Sequence, residues 1–360
     1  MNPIPTRTPY SAATDTTSNQ IGLQHGTRAA VPIARTIAFY TWQFQTASNL
    51  TWPEVRSLAL EFAPAILKKW PAYHAEMSGI AVGANVELAD IIAINVRTEI
   101  TFGLFSDGCT ALAWKTDDAK GTGGSWLAQN WDWNPRQKEN LVLLSISQPS
   151  TSLPHIKMVT EAGIIGKIGL NSAGVGVCLN AIKAKGMDPT KLPCHLGLRA
   201  ILESSSRAEA VAKLEKFGVA SACHVLIADA ETGGEGLEWS SKDVAKVKQN
   251  PKGQVFHSNH YLLPHTGGVE DVNWLEDSEF RVKRIQELCE GIQEGEVGWE
   301  SLGGVFRDEK NFPGSICREA QGRSTSATLF NIVMELRERQ AEVRVGRPTE
   351  EGGELVRLKF

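Results

Sequence analysis

Ser106-Asp107-Gly108-Cys109-Thr110 is the stretch on which the reading of this 360-residue chain turns. Before it, apolar residues recur with helical spacing; after it, they come in short strand-like runs. Asp-Gly signals a turn. A glycine on the acyl side of a cysteine leaves the intervening carbonyl free to adopt the backbone angles that attack by the thiol requires. If the Gly108–Cys109 bond breaks, Cys109 becomes an amino terminus. Its own α-amine, titrating near pKa ~8 when unperturbed, then lies within reach of its sulfur, so the nucleophile carries its own base. Taken alone, the same residues also read as an ordinary turn followed by a buried, inert cysteine.

On the amino-terminal side, the spacing predicts helices from Ile21 to about Arg97. Ile33, Ala34, Ile37, Ala38 and Thr41 recur at three and four, Val55, Leu58, Leu60, Phe62, Ile66 and Leu67 stripe a helix over 54–70, and a short helix follows over 87–95. Pro53 and Pro71 punctuate them. On the carboxyl side, strands are expected over 141–147, 156–160, 163–170 and 175–180, then 224–228, 236–239 and 255–259, and finally 327–334, 340–345 and 355–358. Amphipathic helices over 195–202 and 207–217 interrupt them. Helices and strands in separate runs predict an α+β fold rather than repeated βαβ units. Residues 21–360 read as one domain behind a loose Pro/Ser/Thr-rich leader, residues 1–20.

The composition narrows the function. A formal charge of -4, a pI near 6.1 and the lack of a long like-charge run exclude an electrostatic footprint for nucleic acid or anionic membranes. Six cysteines without a C-x-x-C pair argue against a zinc ribbon, a redox motif or a disulfide framework. The leader has no apolar stretch of signal-peptide length, and the final Arg357-Leu358-Lys359-Phe360 is no peroxisomal address, so cytoplasm is the expected compartment.

Nine stretches occur in an order that resembles the isopenicillin-N acyltransferase (acyl-coenzyme A:6-aminopenicillanic acid acyltransferase) family. They are Gln24-His25-Gly26, Arg97-Thr98-Glu99, Asp107-Gly108-Cys109-Thr110, Gln129-Asn130-Trp131-Asp132, Thr160 to Lys167, Asn171-Ser172-Ala173-Gly174, His257-Ser258-Asn259-His260, Ser315-Ile316-Cys317-Arg318 and Ala327 to Asn331. The resemblance implies an N-terminal-nucleophile fold, a four-layer αββα sandwich with two antiparallel sheets. It further implies cleavage between Gly108 and Cys109 into residues 1–108 and 109–360, with Cys109 as nucleophile and Asn259 as the oxyanion donor. Asp132 matches a carboxylate that orients substrate.

Each of these residues has a plainer reading in the sequence itself. Asn259 suits a strand-end turn, Asp132 a buried hydrogen-bonding role, and Trp133 and Phe330 either an acyl pocket or ordinary core. His257 and His260, three apart on an expected strand, would point to opposite faces and share no metal ion.

The chain departs from the family where a Gly-Lys-Ser-Arg-Gly-like stretch is expected. It has Gly322-Arg323-Ser324-Thr325-Ser326, so Thr325 replaces the arginine that would grip a substrate carboxylate. Arg323 is either its substitute or a solvated surface residue. The Pro/Thr/Ser-rich leader likewise replaces the strand with which the family begins.

The expected activity is therefore passage of an acyl group through a Cys109 thioester to an amine or to water. No cofactor is expected; an acyl-coenzyme A or an N-acyl amide is the donor, the partners are small molecules and the cleaved small chain, and penicillin formation is weak. Two alternatives stand: an amide hydrolase without transferase activity, and an uncut, catalytically silent homologue. A papain-like protease would need a histidine beside Cys109.

Overall fold

The computed structural model of the chain describes residues 10–12, 17–100, 108–116, 123–271, 275–322 and 324–360. Among the described residues, seven helices precede Cys109: α1 (Ser18–Arg28), α2 (Ala30–Ser48), α3 (Trp52–Leu60), α4 (Ala63–Lys69), α5 (Pro71–Ala84), α6 (Leu88–Asn95) and α7 (Arg97–Ile100). The stripe over 54–70 is divided between two of them. Pro64 stands in the first turn of α4, where its missing N–H costs nothing, and so marks a second helix start. Asn49 and Asn85 end α2 and α5 in the left-handed conformation.

Helices α1 and α5 touch backbone to backbone. A Cβ on Gly22 would lie 1.9 Å from the Glu76 carbonyl oxygen, and one on Gly79 2.1 Å from that of Asn19. Gly26 and Gly83 repeat the approach one turn on.

The strands are β1 (Tyr10–Ala12), β2 (Gly108–Lys115), β3 (Ser125–Trp133), β4 (Leu141–Ile146), β5 (Ile156–Glu161), β6 (Ile168–Asn171), β7 (Val175–Ala181), β8 (Cys223–Asp229), β9 (Gly233–Trp239), β10 (Val244–Val247), β11 (Gln254–His257), β12 (Ala327–Glu335), β13 (Gln340–Val345) and β14 (Leu355–Lys359). They form an eight-stranded sheet, β1-β4-β5-β6-β7-β8-β9-β10, and a six-stranded sheet, β11-β2-β3-β12-β13-β14. All pairings are antiparallel except that of β1 with β4. Within the stretch read as a leader, then, Tyr10–Ala12 adds an edge strand and Thr17 caps α1 with its side chain.

The sheets pack face to face, β2 and β3 against β7, β8 and β9. Helices α8 (Cys194–Leu202) and α9 (Arg207–Phe217) cover the larger sheet, and α10 (Ser278–Glu290) and α11 (Trp299–Val305) cover the smaller. Ile285 and Cys289, four apart on α10, close a second core over Leu112, Trp114, Trp126 and Phe256. The four layers are the αββα arrangement expected from the resemblance.

Two expected strands are shorter than their apolar runs. Of 163–170, only the end joins β6, because Asn95 holds the Gly163 carbonyl and the Ile165 N–H in a loop. The run 255–259 stops pairing at His257, which leaves Asn259 in the following loop.

Candidate active site

Cys109 enters β2 one residue after its start, and the antiparallel register sets Gly108 opposite Asp132, Cys109 opposite Trp131, and Thr110 opposite Asn130. Alternation along the two strands then sorts the side chains. Cys109, Gln129, Trp131 and Trp133 face the gap between the sheets, where Gln129 exchanges two hydrogen bonds with the Leu179 backbone of β7. Gly108, Thr110, Asn130 and Asp132 face the layer of α10 and α11, where Asn130 donates to the carbonyls of Phe306 and Ile316.

Asn259 arrives from the loop after β11. Its Oδ1 accepts the Cys109 N–H at 2.9 Å, and its Nδ2 donates to the Ala181 carbonyl at 3.0 Å. The loop is tied on both sides. Asn259 N–H donates to Ser278 Oγ at 2.7 Å, and the Glu238 carboxylate accepts the N–H groups of Leu262 and Leu263 while contacting His257 Nε2 at 2.7 Å. His260 turns instead to Ser278 Oγ, 2.6 Å from its Nδ1. The two histidines therefore serve different anchors, one at the strand end and one in the loop. Among the described residues, no group of three His, Cys, Asp or Glu side chains has the geometry to hold a metal ion.

A third set of groups comes from α10 and the segment before β12. Arg281, fully buried, donates to the Cys109 carbonyl (2.6 Å), to Thr110 Oγ1 (3.1 Å), to Asn259 Oδ1 (2.9 Å) and to Asp277 Oδ1 (2.9 Å). Ser258 Oγ adds a hydrogen bond to the same Cys109 carbonyl at 3.1 Å. Arg318 pairs with Asp277 through Nη2, and its Nε lies 3.5 Å from Asp132 Oδ2. Thr328 donates to Asp132 Oδ1 at 2.7 Å.

Gly108 sits directly on this pair. A Cβ there would lie 2.9 Å from Arg318 Nε and 2.9 Å from Asp132 Oδ2, so a side chain at 108 would wedge the two apart. Burial raises Asp132 to about 6, although the Arg318 and Arg281 charges pull it down.

The structure thus brings together Gly108, Cys109, Asn259 and Asp132. Trp131 and Trp133 do not screen Asp132, because successive side chains of a strand point to opposite faces; they stack on each other on the far side of β3. Trp133 packs edge-on to Phe39 and Phe330 lies against Trp131, all buried. Behind these indoles, Glu161 accepts from Arg97, Lys167, Tyr40 and Gln137. Burial alone would push its carboxyl up, but the Arg97 and Lys167 charges outweigh burial and hold it well below the usual range. Lys167 Nζ stands 3.7 Å from the centroid of Trp131.

Thr325 is exposed two residues before β12, next to Ser324, whose Oγ accepts from Arg318 Nη1 at 3.1 Å. Arg323 lies outside the described residues. Sequence reasoning missed Arg281, Asp277 and Ser278 and gave Arg318 no role. The signal was present in Asp277 and Arg281, four apart at the head of an apolar stripe at 282, 285 and 289.

The sequence profile of the family described as acyl-coenzyme A:6-aminopenicillanic acid acyl-transferase matches residues 119–350. A protein of Emericella nidulans, the acyl-coenzyme A:6-aminopenicillanic-acid-acyltransferase 40 kDa form, is 40% identical over 336 residues, which span 92% of this chain and 91% of that one. Among solved structures, penicillin V acylase from Agrobacterium tumefaciens shares the fold at 14% identity, with a TM-score of 0.51 over 70% of this chain and 86% of its own. The Caenorhabditis elegans N-acylethanolamine-hydrolyzing acid amidase ortholog aligns with 64% of this chain and 93% of its own, at 16% identity and a TM-score of 0.48. With an N-terminal-nucleophile sandwich as its fold and acyl transfer or amide hydrolysis as its class of chemistry, the chain belongs to the acyl-coenzyme A:6-aminopenicillanic acid acyl-transferase family.

Proposed function

We propose that this chain cleaves itself at Gly108–Cys109 and that the exposed Cys109 then moves acyl groups from a coenzyme A thioester or an N-acyl amide to an amine or to water. The observation that carries the reading is the hydrogen bond from the Cys109 nitrogen to Asn259 Oδ1, which sets the nitrogen of the bond to be cut against a buried carboxamide. In the precursor, Sγ adds to the Gly108 carbonyl carbon, the C–N bond breaks as nitrogen takes the thiol proton, and water hydrolyses the resulting thioester. Residues 1–108 and 109–360 are the products.

In turnover, the α-amine takes the thiol proton, Sγ attacks the donor carbonyl, and the leaving thiol or amine departs with that proton. The Asn259 amide supplies a donor to the oxyanion of each tetrahedral intermediate. The acceptor amine, or water, then reverses the steps and restores the thiol. Asp132, anchored by Thr328 and beside Arg318, holds the acceptor side of the site.

The relative from Emericella nidulans is named for 6-aminopenicillanic acid; for this chain we expect that acceptor to be used weakly. Thr325 offers no guanidinium to its carboxylate, which also favours a second reading, hydrolysis without transfer. The test is acid quench during turnover of hexanoyl-coenzyme A, followed by the mass of the large chain. A hydroxylamine-labile hexanoyl adduct on wild type, absent in Cys109→Ala, supports the thioester; no adduct, with product still formed, contradicts it. Repeating the assay with and without 6-aminopenicillanic acid separates transfer from hydrolysis.

A further inference from the structure

We propose that Arg281 is a positioning residue that locks the carboxamide of Asn259 in one orientation, with Oδ1 toward the nitrogen of Cys109 and Nδ2 toward the reacting acyl group. The inference rests on the reading of Asn259 as oxyanion donor. Its physical basis is the donor inventory around one atom. Asn259 Oδ1 faces the Cys109 nitrogen at 2.9 Å and Arg281 Nη2 at 2.9 Å. A peptide N–H and a guanidinium can only donate, so the side-chain atom between them must be the oxygen.

Cleavage removes half of that constraint. A peptide nitrogen never accepts, but the neutral α-amine it becomes has a lone pair. Without Arg281, only the Ala181 carbonyl, which accepts from Nδ2 at 3.0 Å, would oppose a carboxamide that turned over and donated Nδ2 to the lone pair. The turn would cost the site twice, withdrawing a donor from the oxyanion and occupying the pair of electrons that must take the thiol proton. Arg281 adds the stronger hold, because a guanidinium opposite Nδ2 would set donor against donor in a buried site.

The arginine is itself held for this task. Its Nε donates to Asp277, its Nη1 bridges the Cys109 carbonyl and Thr110 Oγ1, and it is fully buried on α10. Asp277 is shared with Arg318, whose Nε faces Asp132, so the fork has few alternative placements. Burial pulls the Arg281 guanidinium down and Asp277 opposes that loss.

The experiment is a double-mutant cycle on protein that mass spectrometry shows to be folded and cleaved, read as hydrolysis of hexanoyl-coenzyme A by thiol release. Arg281→Gln is expected to lower kcat about 30- to 100-fold with KM within about threefold, and Arg281→Lys, which keeps one donor, to recover part of the loss. In the Asn259→Ala background the same Arg281 changes should cost less than about threefold, since nothing is left to orient. Equal losses in both backgrounds would overturn the proposal and leave the role of Asn259 intact. Near-normal turnover by Asn259→Ala alone would instead overturn the oxyanion reading beneath it. Neutron diffraction from the deuterated, cleaved wild type decides the matter if the Arg281 variants do not fold or cleave. Deuterium on the Asn259 atom facing Ala181, and none on the one facing Arg281, supports the proposal; the reverse placement ends it.

Discussion

Gly108 is constrained by what lies under it rather than by its own backbone. A methyl group there meets Arg318 Nε and Asp132 Oδ2 at 2.9 Å each, and both are buried among partners that limit their retreat. We therefore expect Gly108→Ala to slow cleavage at 108–109 at least tenfold, measured as the half-life of the uncut precursor; cleavage at the wild-type rate would show that the Asp132–Arg318 pair yields. Asp132 itself makes a prediction with a definite sign. Its folded value, about 6, lies above the ordinary 3.8, so the native state binds the proton more tightly than the unfolded chain. That contribution to stability is complete below about pH 4 and is lost as pH rises through 6. The melting temperature of wild type relative to Asp132→Asn should accordingly fall between pH 4.5 and 7.5, and a rise would mean that Arg318 outweighs burial. At the acceptor side, Thr325→Arg should lower the KM for 6-aminopenicillanic acid roughly ten- to a hundred-fold, from a hydrogen bond between charged groups contributing ~1.5–3 kcal/mol. Hydrolysis without acceptor should barely change, and an unaltered acceptor dependence would remove Thr325 from the account.

Among the elements, the α1–α5 pair is the most sensitive to a single methyl group. Gly79→Ala would drive a Cβ to 2.1 Å from the Asn19 carbonyl oxygen, a clash with backbone that only separation of the helices relieves. We expect a loss of about 3 kcal/mol or more, at or beyond the usual cost of overpacking. Gly303→Ala in α11, with nothing within 4 Å of the new atom, should instead be neutral or stabilise by up to ~1 kcal/mol. Urea denaturation of both variants checks the contrast, and equal midpoints would contradict it. The same elements show what the sequence could and could not disclose. Helix α9 and strand β13 were legible residue for residue, because each has one wet face and hence a clear period. The strands carrying the site were not. Strands β2 and β3 are buried on both faces from Gly108 to Trp114 and from Ser125 to Trp133, so no alternation marks them. Helix α5 fell within the expected helical run but showed no stripe of its own for a related reason, since its face toward α1 is made of glycines rather than large apolar residues. Cys109, Asn259 and Asp132 were singled out through the order of short stretches, whereas Arg281 and Asp277 lay in none of those stretches and needed the folded chain to bring α10 over β2.

At the scale of the molecule, the proposed cleavage at 108–109 would leave two chains with one core. Ile33, Phe44, Ile66, Met77 and Ile91, before that bond, are buried in the same cluster as Leu143, Ile168 and Leu198, after it. The products should therefore co-elute as a single species under native conditions and melt in one transition, and free small chain in native gel filtration would contradict a shared core. No helix among the described residues is long and apolar enough to cross a membrane. Everything claimed for the chemistry depends on whether the bond before Cys109 opens by the action of Cys109 itself. Intact mass spectrometry of freshly purified wild type and Cys109→Ala tests that most directly. Two masses for wild type, matching residues 1–108 and 109–360, beside one uncut mass for Cys109→Ala, are the predicted result; an uncut wild type, or a Cys109→Ala protein severed at the same bond, would contradict it.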